Sequence, residues 1–152
     1  MLVRTLLSTQ PQTVVTVHPS TTIADAMKLM VTNDIGCLPV VDETGVLVGL
    51  INDADVLQII EQSDGKYKSL RVSSCMSTNP VVGVVDDDLA MLAGMMSKHK
   101  VRHIPIFDGP NVVGLLSRGD LIRMQMESHN IEQRYLQLYN EGLGMRDLSS
   151  DG

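Results

Sequence analysis

Ile23–Pro39 reads IADAMKLMVTNDIGCLP, and Leu89–Pro105, 66 residues further on, reads LAMLAGMMSKHKVRHIP. In the first stretch Ile23, Ala26, Met27, Met30 and Val31 recur at i, i+3, i+4, i+7 and i+8, which puts them on one helical face. Leu89, Leu92, Ala93 and Met96 form the matching stripe in the second. Thr21 or Thr22 can cap the first helix, and Asp86–Asp88 place carboxylates at the start of the second, where the helix dipole favours them. Each helix then runs into a short apolar strand, an acidic turn, a second strand and a glycine-led segment. That segment is GLINDAD at Gly49–Asp55 and GLLSRGD at Gly114–Asp120.

Working outward, the first copy has a strand at Cys37–Val41, a turn at Asp42–Gly45, a strand at Val46–Ile51 and a helix from about Asp53. The turn of the second copy, Asp108-Gly109-Pro110-Asn111, is one residue shorter, so the offset falls from 66 to 65. The pattern is strand–helix–strand–strand–helix, twice: residues 8–60 and 74–125, joined by a polar linker at 61–73. The expected fold is α/β (α+β), with two pseudo-twofold-related repeats, each a small three-stranded sheet with two helices. A unit of about 60 residues buries too little surface alone, so pairing two of them closes a core. The duplication therefore has a purely structural explanation as well as a functional one. Residues 126–140 read as a helical extension whose stripe is Ile131, Tyr135, Leu138 and Tyr139, and 141–152 as a disordered tail.

The charge balance narrows the function. Twelve Lys and Arg stand against 18 Asp and Glu, a net charge of −6. It is evenly spread: residues 1–75 hold 5 basic and 8 acidic groups, and residues 76–152 hold 7 and 10. A general nucleic-acid binder needs a basic face, so that class is disfavoured. The local exception is Lys98–Arg123, with five basic side chains against two acidic ones, plus His99 and His103. It reads either as a solvated helix end or as an anion site. No apolar run approaches the roughly 20 residues that span a membrane, and MLVRTLLSTQPQ lacks the apolar stretch of a signal peptide. Cys37 and Cys75 form no disulfide framework or zinc spacing, and Cys37 reads as a small core residue. The expected location is cytoplasmic.

The entry strand Val15-Thr16-Val17-His18-Pro19, the segments GCLPVVD and RHIPIFD, the two glycine-led segments and MSTNPVVGVVDDDLAMLAGMM together resemble the cystathionine-β-synthase (CBS) domain family. The resemblance covers about residues 8–125, both repeats in order. The extension resembles, more weakly, the tail of some stand-alone bacterial CBS-pair proteins. The family implies a Bateman module, whose two clefts often bind adenosine nucleotides, and a homodimer formed through the repeat helices. AMP, ADP and ATP are the implied regulatory ligands, with NAD and S-adenosylmethionine as further candidates, and no cofactor is required.

The family implies one cleft that combines Ser117, Arg118 and Asp120 with Thr13, Val14 and the Ile35–Leu38 backbone, Cys37 included. The other combines Asn52 and Asp55 with Val81, Val82, Arg102, His103 and Ile104. Asp120 can accept from two ribose hydroxyls, and helix-start amides beside Arg118 favour phosphate. The same S-x-x-D spacing is also a capping box, and the two roles can coexist. The Asn52 turn departs from the family pattern, with Asn in place of Ser or Thr and acidic Asp53 where the other turn has Arg118. Asp53 would repel a polyphosphate. His103 reads either as a phosphate contact or as a core-edge histidine satisfied by backbone. Met91, Met95 and Met96 read as core.

No nucleophile–base–orienter set, H-E-x-x-H, C-x-x-C or P-loop is present, so the chain reads as a non-enzyme. His99 and His103 straddle a helix end and a strand, which argues against a shared metal. The leading expectation is a regulatory nucleotide-sensing module, with an enzyme or transporter as the regulated partner. The alternative is a ligand-free structural interaction module.

Overall fold

The computed structural model describes residues 1–128 and 131–141. The chain divides into two compact units, Met1–Leu116 and Ser117 onward. The first unit holds both repeats up to the last strand. Its helices are α1 (Val3–Thr9), α2 (Ile23–Asn33), α3 (Asp53–Gln62) and α4 (Leu89–His99), with a short 3-10 turn at Val72–Ser74. Its strands are β1 (Cys37–Val41), β2 (Leu47–Asn52), β3 (Gly83–Val84), β4 (His103–Asp108) and β5 (Asn111–Ser117), the last of which leads into the second unit.

The repeats match strand for strand, with one difference. In the second, β3, β4 and β5 form a three-stranded sheet, with β3 parallel to β4. In the first, β1 and β2 pair antiparallel, and the third strand is reduced to one parallel bridge between Val17 and Val40. Pro19, which has no amide hydrogen to donate, follows two residues after that bridge. Val17 N still donates to Pro39 O at 3.0 Å, and Val41 N to Val17 O at 2.8 Å. His18 ties this segment to the β1–β2 turn through its Nε2, 2.9 Å from Glu43 Oε1.

The helix stripes face the core as the spacing predicts. Ile23, Ala26 and Met30 on α2 are buried, as are Leu89, Leu92 and Met96 on α4. Thr22 caps α2 by accepting from Asp25 N, and Asp88 caps α4 by accepting from Ala90 N. Two expectations fail at the edges of the stripes. Val31 is 82% exposed, because the apolar arc of α2 is wider than the surface packed on it. Of the three core-assigned methionines only Met96 is buried. Met91 is exposed, because it lies off the Leu89–Leu92–Met96 face, and Met95 is half-buried.

The two leading segments are exchanged. Residues ahead of repeat 1 pack on repeat 2: Val3 N donates to Asp87 O at 3.0 Å and Arg4 N to Val85 O at 2.8 Å. Residues ahead of repeat 2 pack on repeat 1: Val72 N donates to Thr21 O at 2.8 Å, and Leu70 O accepts from Ile23 N at 2.8 Å. Val3 and Val72 are both fully buried. Much of the polar stretch after Glu61 is thus structural, and α1 is an element that the hydrophobic pattern does not signal. Seven residues with two buried side chains are too short for a helical period to stand out.

The second unit contains α5 (Arg118–Ser128) and α6 (Ile131–Asn140). The residues expected as a helical extension, 126–140, fall on the end of α5 and on α6, with residues 129–130 outside the described set. On α6, Leu136, Leu138 and Tyr139 are exposed. The expected tail from residue 142 on also lies outside the described residues.

Candidate functional site

A cleft of about 410 Å³ opens in the first unit, where the β2–α3 turn of repeat 1 meets the entry strand and the α4–β4 connection of repeat 2. Asn52 comes from the turn. Pro80 and Val81 line it from the entry segment, and Lys100, Arg102 and His103 from the connection. The sequence explains each placement. Gly49 lets the chain at Ser77 cross β2: a Cβ there would lie 2.6 Å from Ser77 O. The crossing is fixed by Leu50 N donating to Ser77 O at 2.9 Å and Ser77 N donating to Leu50 O at 2.8 Å. Lys100 ends α4 in the left-handed conformation, φ 55°, which turns the chain sharply and delivers Arg102 and His103 to the cleft.

The turn itself is a reciprocal cap. Asn52 Oδ1 accepts from Asp55 N at 2.9 Å, and Asp55 Oδ2 accepts from Asn52 N at 2.9 Å. Asparagine in place of Ser or Thr therefore preserves the geometry, because an amide oxygen accepts as a hydroxyl does. Burial, chiefly, raises the Asp55 carboxyl above its ordinary value, and nearby Asp53 pushes the same way. Asp53 takes the opposite direction. Its Oδ1 lies 2.7 Å from Arg102 Nη2, and that hydrogen bond is the main cause of a lowered carboxyl pKa. Burial pushes the Cys37 thiol up to about 12, so it is a neutral, unreactive group.

Cys37, whose backbone is expected in the cleft of the Ser117 turn, also lines this cleft. The reason is register: β1 and β2 pair Cys37 directly with Asn52. Val81, Arg102 and His103 are brought together with Asn52, whereas Asp55, Val82 and Ile104 do not line the cleft. Val82 is exposed and Ile104 is fully buried in the core. Asn79, His99 and Lys100 are lining residues that the sequence reading did not assign to the site. One signal was available for Asn79: S-T-N-P at 77–80 repeats S-T-Q-P at 8–11.

The second turn, taken by itself, has the same design. Ser117 N donates to Asp120 Oδ2 at 2.8 Å, and Asp120 N donates to Ser117 Oγ at 3.1 Å. Arg123, one helical turn on, pairs with Asp120 Oδ1. Arg118 is exposed. In the first unit, Thr13 is exposed and Val14 half-buried in the extended segment before Val17. Among the described residues no three His, Cys, Asp or Glu side chains gather to hold a metal, and no helix is long and apolar enough to cross a membrane.

A separate apolar groove of about 570 Å³ lies between α2 and α3, lined among others by Met27, Val31, Val56 and Leu57. Val31 and Leu57 (68%) are its most exposed apolar side chains.

The CBS domain model matches the chain twice, at residues 3–62 and 72–127. The CBS domain-containing protein YhcV of Bacillus subtilis is 36% identical over 117 residues, covering 77% of this chain and 82% of its own. The CBS domain pair of protein MJ0100, solved in complex with 5′-methylthioadenosine and S-adenosyl-L-methionine, superposes with a TM-score of 0.75 at 27% identity. That match covers 84% of this chain and 98% of the other. CBSX2 of Arabidopsis thaliana, solved in complex with AMP, matches with a TM-score of 0.66 at 28% identity, covering 77% of this chain and 90% of its own. Two family matches in tandem, on a fold shared with CBS pairs, establish that this chain belongs to the CBS domain family as a tandem CBS pair.

Proposed function

We propose that this chain is a regulatory module that senses an adenine nucleotide between its repeats and responds by changing its packing or its affinity for a partner. The observation that carries this reading is the 410 Å³ cleft, which draws Asn52 from one repeat and Pro80, Val81, Lys100, Arg102 and His103 from the other. Its parts suit a nucleoside. Pro80 and Val81 offer an apolar wall for a base, Lys100 is a donor toward the 5′ end of a nucleoside, and Asp55, bonded to the lining residue Asn52, is the acceptor for ribose hydroxyls. Two structurally similar CBS pairs are solved with adenosine derivatives, one with AMP and one with 5′-methylthioadenosine and S-adenosylmethionine, which supports the same ligand class here. We assign the same ribose-accepting role to Asp120 at its own turn, beside Arg118. A ligand that joins groups from two repeats binds one arrangement of them better than another, and this differential affinity is what shifts a conformational equilibrium.

Self-association through α2 and α3 is part of the proposal. Val31 and Leu57 leave an apolar surface beside the groove, and a second copy of the chain covers it.

A thermal-shift panel of AMP, ADP, ATP, NAD and S-adenosylmethionine tests the ligand, and native mass spectrometry of fresh protein tests self-association. A true ligand at 100 times its Kd stabilises by about 2.7 kcal/mol, and the effect of a ligand seated at Asp55 is lost in Asp55→Ala. The expected native species is a dimer carrying a nucleotide-sized mass. No shift with any compound, with an empty native species, would leave the ligand-free interaction module as the reading.

A further inference from the structure

We infer that Asp53 is a charge gate that makes the Asn52 cleft select nucleosides without anionic 5′ groups over nucleoside phosphates. The inference rests on the adenosine reading above and names the ligand class for this one cleft.

Arg102 is the guanidinium in the cleft lining, and it is already engaged. Asp53 reaches it from the other repeat, Oδ1 to Nη2 at 2.7 Å. The carboxylate is held in place on its own side too. Asp53 Oδ1 accepts from Ala54 N at 2.8 Å, and Asp53 N donates to Gly36 O at 2.9 Å. Its Oδ2 sits 3.1 Å from the point where a side chain on Gly36 would begin. A glycine there leaves room for the carboxylate to lie against the backbone. Asp53 itself lines the groove between α2 and α3, and the pair ties repeat 1 to repeat 2 through Arg102, which lines the cleft.

Two consequences follow for a bound nucleoside. A phosphate that seeks Arg102 must displace Asp53 or bind beside it, and either route sets like charges within a few ångströms. The amides at the start of α3, which elsewhere welcome phosphate, already serve internal acceptors: Asp55 N donates to the Asn52 amide oxygen, and Ala54 N to the Asp53 carboxylate. A 5′ thioether carries no such conflict, and a sulfonium is attracted to Asp53. The ligand class is thus an adenosine with a neutral or cationic 5′ substituent. Lys100 and His99 also line the cleft, so the discrimination is graded with phosphate number.

Isothermal titration with 5′-methylthioadenosine, AMP and ATP tests the gate in the full chain, in Asp53→Asn, and in Asp53→Asn combined with Arg102→Gln. Asp53→Asn is isosteric and lies on an exposed side chain, and a thermal melt checks that it folds. In the unaltered protein the affinity order is 5′-methylthioadenosine, then AMP, then ATP. Asp53→Asn is expected to tighten AMP and ATP about tenfold, while 5′-methylthioadenosine changes by less than about threefold. The double variant loses that gain, because the released guanidinium is what takes the phosphate. If the compounds bind but Asp53→Asn leaves their order unchanged, the gate is wrong and the adenosine reading stands. If none of the three binds any of the proteins, the adenosine reading falls and takes the gate with it.

Discussion

At the start of α3, Asn52 and Asp55 exchange two hydrogen bonds of 2.9 Å. At the start of α5, Ser117 and Asp120 exchange two of 2.8 and 3.1 Å. The backbone problem is the same in each: a strand ends, a helix begins, and the first amides need acceptors. What differs is the residue after the cap, Asp53 in one turn and Arg118 in the other. Asp53 is bonded to Arg102 of the opposite repeat. At the second turn the ion pair runs to Arg123, three residues on in the same helix. Duplication has thus kept the scaffold and let the charge diverge. An element that must be capped to fold is constrained at positions one and four, and position two is free to acquire chemistry.

The strongest way to break this equivalence is at the glycines that lead the two segments. A Cβ on Gly49 would meet backbone, Ser77 O at 2.6 Å, together with Met76 Sδ at 2.9 Å. The atoms nearest a Cβ on Gly114 would be side-chain ends, Leu7 Cδ2 at 3.1 Å and Gln12 Oε1 at 3.2 Å. Gly49→Ala should therefore cost about 1–3 kcal/mol by overpacking, and Gly114→Ala less, because two flexible ends can move aside. Urea denaturation of both variants measures this. Equal losses would mean that the chain crossing at Ser77 is no tighter than the α1 contact. Because Ser77 and Asn79 line the cleft, Gly49→Ala should also weaken any ligand of that cleft.

Why these details were or were not legible follows from the same two segments. The helices α2 and α4 each span three turns with a periodic stripe, so their buried faces follow directly from spacing. The caps follow from S-x-x-D and N-x-x-D, since few residue types satisfy a helix start. The leading segments were opaque. Val3 and Val72 are buried beside partners more than 50 residues away, Asp87 and Thr21 being their backbone neighbours among others, and no local period records such an exchange. The same holds for Cys37. Its place in the cleft depends on pairing with Asn52, a register that repeats alone do not specify. Arg102 and His103 were legible as cleft candidates because basic side chains stand out in an acidic chain, and both line the cleft. The engagement of Arg102 by Asp53 was not, because it depends on the approach of two repeats.

A smaller effect tests whether the caps are equivalent. Asn52→Ala and Ser117→Ala each remove the acceptor for one amide of the helix start, and each should cost about 1 kcal/mol. The comparison sharpens if the losses agree within a few tenths of a kcal/mol, as measured by denaturant midpoint at unchanged slope. A negligible loss at Asn52 alone would mean that Asp53, bonded to Ala54 N, caps α3 in its place.

The smallest expected effect is that of Asp53→Asn on stability alone. The pair with Arg102 is about half exposed on both sides, so it contributes no more than about 1 kcal/mol and is screened by salt. Its sign with pH is fixed by the lowered carboxyl of Asp53. A depressed folded value means that the contribution is present above the ordinary Asp value of 3.8 and disappears as pH falls through the lower folded value. The difference between the unaltered protein and Asp53→Asn should therefore be measurable at neutral pH and low salt, shrink in about 0.5 M salt, and vanish toward about pH 2. Asp55 moves the other way. Its carboxyl is raised by burial and then by Asp53, so Asp53→Asn should bring the Asp55 titration down toward its ordinary value. Carbon-detected NMR titration of the Asp55 carboxyl reads this directly, without any ligand. An unchanged Asp55 titration would mean that Asp53 and Asp55 are screened from each other, and a charge gate that does not reach two residues along its own turn would not reach a phosphate in the cleft.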